Sequence, residues 1–353
     1  MMKKYLFVFA LLLCVGSLFG QDLFSIAVNG TPEQIQAAIN AGADVNAHND
    51  KGRTVLMLAA ANNPNPEVIT TLIKAGAEVN ARDKDGITAL MLAAGDNENP
   101  EVINALLNGG AKLDDRDRFP GMTALMWAAS SNQNPEVITT LLNAGAKLDD
   151  HDIMGQTALK LAASWNQNPD VVKTLIQAES KLNDLRDVSS VALMKAACYN
   201  KNAEVIKAIL NIGIDVNSRE DVVGKTALMH AASSNQNPEV ITTLLNAGAN
   251  VNYRDIKGMT ALMWATSNEN PEIIAALLKA GANVDDRCEG GLTALMFAAE
   301  TKFGNPDNIL LLLKAGANAK LKSDEGKTAF DYAKDNPKIK DTAAYWALNE
   351  ARF

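Results

Sequence analysis

Three histidines, His48, His151 and His230, are the first places to look for chemistry in this chain of 353 residues. A catalytic or metal-bound imidazole works with partners held within hydrogen-bond or coordination reach. These three are scattered, and none stands at metal-ligand spacing from a second histidine or a cysteine. No Ser, His and Asp can be set in the order of a charge-relay triad either. The Asp-Asp pairs at 114–115, 149–150 and 285–286 resemble a carboxylate cluster, but they return at one place in a periodic pattern. That placement reads as solvated or turn-bonding side chains. There is no G-x-x-x-x-G-K-[ST] phosphate loop, and turns and helix ends account for the glycines. A column of methionines (Met57, Met91, Met126, Met194, Met229, Met263, Met296) could form a soft-metal surface, yet one Met per period on an apolar helical face reads as core. The sequence therefore assigns no catalytic, cofactor-binding or metal-binding residue, and no cofactor.

What positions these residues is a repeat. Residues 224–252 read GKTALMHAASSNQNPEVITTLLNAGANVN, and residues 121–149 carry nearly the same text. Thr226 suits a helix N-cap, Gly224 a turn with positive φ before it. Leu228, Met229, Ala231 and Ala232 give a short first helix with a small-residue face. Asn237-Pro238-Glu239 restarts a helix with a cap, a proline where no N–H is missed, and an acid at the positive end of the dipole. Val240, Ile241, Leu244 and Leu245 form its apolar stripe, and Gly248 ends it. Aligned on the threonine, units begin at Thr54, Thr88, Thr123, Thr157, Val191, Thr226, Thr260, Thr293 and Thr328, at spacings of 33–35 residues. A partial unit over Asp22–Asn46 precedes them, which makes ten, with atypical ends as a capped stack needs.

The recurring G-x-T-A-L-M-x-A-A … L-L-x-A-G-A-x-V-N pattern resembles the ankyrin repeat family over residues 22–349. The resemblance implies an all-α solenoid of about ten stacked helix-turn-helix units with finger loops. The units lie near 22–49, 50–83, 84–117, 118–152, 153–187, 188–220, 221–255, 256–288, 289–323 and 324–349. It also implies a binding scaffold without catalytic residues. Two departures are systematic: T-A-L-M replaces the family's T-P-L-H, and Asn-Pro replaces the Gly-His before the second helix. With that Pro and His gone, the methionine column is expected to join neighbouring units through apolar contacts.

Residues 1–20 read as a signal peptide: Lys3-Lys4, an apolar run from Tyr5 to Val15, then small residues, with cleavage near 17–20. The run is too short for a comfortable membrane span, so a periplasmic or secreted, bacterial protein with no stable span after leader removal is expected. A net charge of -8 argues against generic nucleic-acid binding. Cys198 and Cys288 fall in units about three apart, outside disulfide reach. The array reads as one uninterrupted domain and a monomer. Its pattern fails once, between units five and six. Glu179 stands where glycine should end a helix, Ser189 replaces the finger glycine, and Val191 replaces the capping threonine. A lost cap costs about 1 kcal/mol, so this joint is expected to be the weakest. Drift tolerated by strong neighbours is the plain account; a hinge or a partner-specific joint is the rival.

In the family, partners meet the concave side formed by fingers and first helices. Carried over by position, the candidates are Arg82, Arg116, Arg219 and Arg254 in the fingers, and Trp127, Trp165, Tyr199, His230 and Trp264 in the first helices. Each arginine precedes an acid in most units, and such a ladder more often satisfies itself than binds. Trp127 and Trp264 follow the methionine and could simply fill the gap between helices; Trp165 and Tyr199 follow the Ala-Ala pair, toward the groove. Binding sites are rich in Trp, Tyr and Arg. The leading expectation is an exported, non-enzymatic scaffold for a protein partner. The alternatives are an effector delivered to host proteins, and an enzyme or small-ligand protein with a cryptic site at the five/six joint.

Overall fold

The computed structural model describes residues 22–180, 186–219, 222–300 and 305–353. The expected leader lies outside them, as do residues 181–185 of the five/six joint, 220–221 and 301–304. Among the described residues there are twenty α-helices, and the only strand-like pairing is two isolated bridges, His48 to Thr54 and Arg219 to Thr226, at the bases of fingers.

The chain divides into two compact units at Ala162/Ala163, within α9. The first holds α1 (Leu23–Asn29), α2 (Pro32–Asn40), α3 (Val55–Asn62), α4 (Pro66–Lys74), α5 (Ala89–Asp96), α6 (Pro100–Asn108), α7 (Ala124–Ser131), α8 (Pro135–Asn143) and the start of α9 (Ala158–Trp165). The second holds the end of α9 and α10 (Pro169–Ser180), α11 (Arg186–Tyr199), α12 (Ala203–Leu210), α13 (Ala227–Ser234), α14 (Pro238–Asn246), α15 (Ala261–Ala265), α16 (Pro271–Lys279), α17 (Ala294–Glu300), α18 (Pro306–Lys314), α19 (Ala329–Ala333) and α20 (Ala343–Ala351). The first repeat is a full helix pair, with Asp22 capping α1 through the Ser25 N–H.

The local signals act as their chemistry dictates. Thr226 Oγ1 accepts the Met229 N–H at the start of α13. Asn237 Oδ1 accepts the Glu239 N–H at 3.0 Å, with Pro238 as the first residue of α14. Gly248 then takes φ +91°, and the Ala249 N–H turns back to the Leu244 carbonyl at 3.0 Å. A side chain in that backbone conformation would be strained. The methionine column is buried in the first helices, beside Val240, Ile241, Leu244 and their counterparts in the second helices. Each such side chain contributes about 1.5–3 kcal/mol on leaving water.

The buried methionine column is accompanied by a polar link between repeats. The link is an asparagine, the first of each Asn-x-Asn that precedes a second helix, with proline next except at Ala203. Asn97 is buried, and its Nδ2 donates to Ala60 O (3.0 Å) and Asn63 O (2.8 Å) in the preceding repeat. Its Oδ1 accepts the Asn99 N–H at 3.0 Å. Asn132 repeats this on Ala94 O and Asn97 O; Asn200, Asn235 and Asn268 do so in the second unit. The second asparagine, besides capping, reaches back as well: Asn99 Nδ2 donates to Pro64 O and Asn237 Nδ2 to Lys201 O, both at 2.7 Å. A third rung lies in the fingers, where Asn80 bridges Gly110 O and the Lys112 N–H, and Asn252 bridges Gly281 O and the Asn283 N–H. Polar groups in a close-packed interior must be paired, and within each of the two units this pairing holds these repeats in register with the ones before them.

Where punctuation is lost, helix takes over. α10 runs for 12 residues and α11 for 14, against nine and eight in the regular repeats. Without glycine to stop one helix or threonine to start the next, α11 begins at Arg186, six residues before the equivalent point in α13. The finger expected before Val191 is therefore partly helical.

Candidate partner-binding surface

The four finger arginines serve the fingers. Arg82 donates to Gly86 O in its own finger and to Arg116 O in the next, and pairs with Asp115. Arg116 does the same with Gly121 O (3.0 Å), His151 O (2.8 Å) and Asp150 (2.6 Å). Arg254 reaches Arg287 O (2.8 Å) and Asp286 (2.7 Å). Arg219 bonds Gly224 O and Arg254 O, and has Tyr253 where the others meet a carboxylate. The pairing is therefore not with the acid that follows each arginine. Successive residues of an extended finger point to opposite sides. The following acid turns inward, as Asp83 Oδ1 does to accept the Asp85 and Ile87 N–H groups at 2.9 Å. The planar guanidinium, with five donors, instead spans two fingers. The second members of the Asp-Asp pairs are its partners, which gives those pairs a role beyond solvation.

Trp127 and Trp264 are also occupied. Trp127 is half-buried on α7, its Nε1 donating to Asp117 at 3.0 Å. Its ring lies over Gly95 of α5, where a Cβ would meet Trp127 Cε3 at 3.3 Å. Trp264 donates to Asp255 at 3.1 Å, and Lys225 Nζ sits 3.2 Å from its ring centroid. These two fill space between helices and brace the fingers. His230 holds the same register position on α13 and is half-buried.

Trp165 and Tyr199 differ. They end α9 and α11, are 56 % and 46 % exposed, and stack on one another with ring centroids 5.4 Å apart and planes at 28°. Lys195 Nζ lies 5.7 Å from the Tyr199 centroid. The Cys198 sulfur beside it holds the Tyr199 phenol above its ordinary range. A rigid pair of this kind offers large contact area with little rotamer entropy to lose.

The tips of several fingers also carry exposed apolar side chains: Phe119, Ile153, Met154, Val222 and Ile256. The sequence signal for them is that these tip positions are filled elsewhere by charged pairs such as Asp50-Lys51 or Lys84-Asp85.

At the five/six joint, a cavity of about 280 Å³ opens between α10 and α12, lined by Lys173, Ile176, Gln177, Ser180, Ala208, Asn211 and Ile212. Its one titratable side chain, Lys173, is exposed and paired with Asp170 at 2.8 Å. That lining does not assemble an acid, a base and a nucleophile. Cys198 and Cys288 are free thiols, and burial pushes the Cys288 thiol up. Among the described residues, no three His, Cys, Asp or Glu converge on a metal position, and no helix is long and apolar enough to cross a membrane.

A family profile described as ankyrin repeats (3 copies) matches residues 23–117, 90–187, 181–255 and 233–323. The chain belongs to the ankyrin-repeat family. Ankyrin-repeat proteins are generally non-enzymatic, and the repeats mark this one as a scaffold for protein–protein interaction. No curated protein matches the chain. Within the family's architecture, Trp165 and Tyr199 are the candidates whose rings remain open to a partner.

Proposed function

We propose that this ankyrin-repeat protein is exported, acts as a monomer, and holds a protein partner at a surface centred on Trp165 and Tyr199, with no catalysis and no nucleic-acid ligand. The observation that carries the proposal is the exposed, stacked ring pair on α9 and α11. A soluble protein keeps two large aromatic rings together in water at some cost, and such patches coincide with binding sites. The arginines contribute by holding the fingers rigid, which reduces the entropy lost on docking. Lys3-Lys4 and the apolar run after them support export to the periplasm or beyond.

Purified wild type and a Trp165→Ala/Tyr199→Ala variant, used as baits against the envelope fraction of the producing cell, test this. Partners retained by wild type are expected to fall at least tenfold on the variant while its helical circular dichroism is unchanged. Equal retention by both would refute the site. Recovery of the protein from the cytosol with its leader intact would refute export.

A further inference from the structure

Resting on that reading, the charge around the ring pair narrows what the partner is. The chain as a whole is acidic, at -8. The stretches that form the ridge around Trp165 and Tyr199 depart from that balance. Residues 163–168, 190–202 and 222–237, which include the first-helix ends and the turns after them, contain no Asp or Glu, while Lys195, Lys201 and Lys225 fall within them.

Among the described residues, three acids close to these stretches in sequence are turned elsewhere. Glu204 pairs with Lys207 at 2.6 Å within α12, Asp170 with Lys173 within α10, and Asp215 accepts the Asn217 N–H in its finger. Lys195 stands half-buried against Tyr199, and Lys201, two residues beyond that tyrosine, is exposed. Farther along the same unit, Lys225 is drawn over Trp264, and Glu269 and Glu300 stand exposed at the equivalent turn and helix end. Among the described residues the ridge is thus basic and aromatic at Trp165–Lys201, and carries Glu269 and Glu300 beyond Trp264.

We infer that the partner presents an acidic segment: Asp or Glu residues for Lys195 and Lys201, flanking an apolar or aromatic side chain that covers the Trp165–Tyr199 rings. Opposite charges at a rim steer encounter and reject like-charged competitors, while buried rings supply most of the affinity. A basic segment would be repelled by the Lys195 and Lys201 ammonium groups, and a neutral one would gain nothing from them.

The test is selection of random dodecapeptides displayed on phage against the mature protein, followed by anisotropy titration of the enriched peptides. Wild type, W165A/Y199A and the charge-reversed K195E/K201E are compared at about 50 and 500 mM salt. Enriched peptides are expected to carry net negative charge and to weaken at least tenfold on either double variant. Their affinity for wild type should fall with salt, as exposed charge pairs are screened.

Neutral or basic peptides that bind wild type and K195E/K201E alike, yet are lost on W165A/Y199A, would overturn the acidic inference and leave the ring-centred surface standing. Peptides that bind W165A/Y199A as well as wild type, or no enrichment at all, would overturn both. The folded state of each variant is checked by its thermal transition, and K195Q/K201Q serves as a milder probe should charge reversal unfold the joint.

Discussion

Replacing Asn97 by alanine is the sharpest test of the buried asparagine ladder. Asn97→Ala removes three hydrogen bonds at once: those to Ala60 O (3.0 Å) and Asn63 O (2.8 Å), and the one from the Asn99 N–H (3.0 Å). Ala60 O is a last-turn carbonyl of α3, and the residue that would normally serve it, four places on, is Pro64, which has no N–H. No other backbone donor takes the amide's place. A buried polar group left unpaired costs about 1–3 kcal/mol. The two buried carbonyls and the half-buried Asn99 N–H, with some relaxation and water entry, give a loss of about 3–5 kcal/mol, a large share of the roughly 5–15 kcal/mol that holds a typical domain together. Urea denaturation followed by circular dichroism measures the loss. Hydrogen exchange at the amides of α3 and α5 locates it, which matters because repeat arrays depart from two-state behaviour. Asn104→Ala is the control, since its amide makes only a 3.4 Å contact with Glu101 in the same helix, and it should change stability by no more than about 0.5 kcal/mol. A loss below about 1 kcal/mol for Asn97→Ala would refute the view that the ladder links the repeats.

Three further outcomes are expected. Asn308 restores the ladder from inside α18, donating to Thr266 O and Asn268 O at 3.3 and 3.2 Å, but among the described residues its own oxygen has no partner; Asn308→Ala should therefore cost visibly less than Asn97→Ala in the same urea assay. Gly95→Ala would normally gain about 0.5–1 kcal/mol of helix propensity, yet the new Cβ meets Ser131 Oγ at 3.2 Å and the Trp127 ring at 3.3 Å. A double-mutant cycle should show the gain suppressed in wild type and recovered with Trp127→Ala. Finally, the Thr328 N–H, Lys334 and the Thr328 hydroxyl hold the Asp331 carboxyl well below the usual carboxylate range. Its folded pKa lies below the unfolded value of about 3.9, so the stabilisation is present above that pH and is lost as pH falls through the folded value. Exchange protection in α19 should drop on acidification, and Asp331→Asn should abolish that dependence.

Much of this architecture is legible in the residues because its punctuation is local. Thr226, Asn237, Pro238 and Gly248 act within a few residues of themselves, so type and spacing suffice. The asparagine ladder was in plain sight as Asn-x-Asn-Pro, but the first asparagine acts on carbonyls about 35 residues away, and only the second could be read from its neighbours. The arginines show the same limit: their partners lie one finger on, not one residue on. Trp127 and Trp165 differ by a single turn in repeat register, and that turn decides whether an indole is enclosed or bare. At the five/six joint the absent glycine and threonine were evident. That helix would fill the vacancy follows only from counting how little remains to stop it.

The direction of the ladder bears on how such a chain can grow. Within each of the two units, the hairpins of Asn97, Asn132, Asn200, Asn235 and Asn268 carry their own connector to the one upstream, and it docks onto main-chain carbonyls that do not depend on side-chain identity. A copied hairpin is therefore compatible with its neighbour at once, without matched substitutions on both sides. Near-identical wording at residues 121–149 and 224–252 is the trace that lengthening by duplication would leave, since a fresh copy could change its exposed positions toward a new ligand while its joints were already sound.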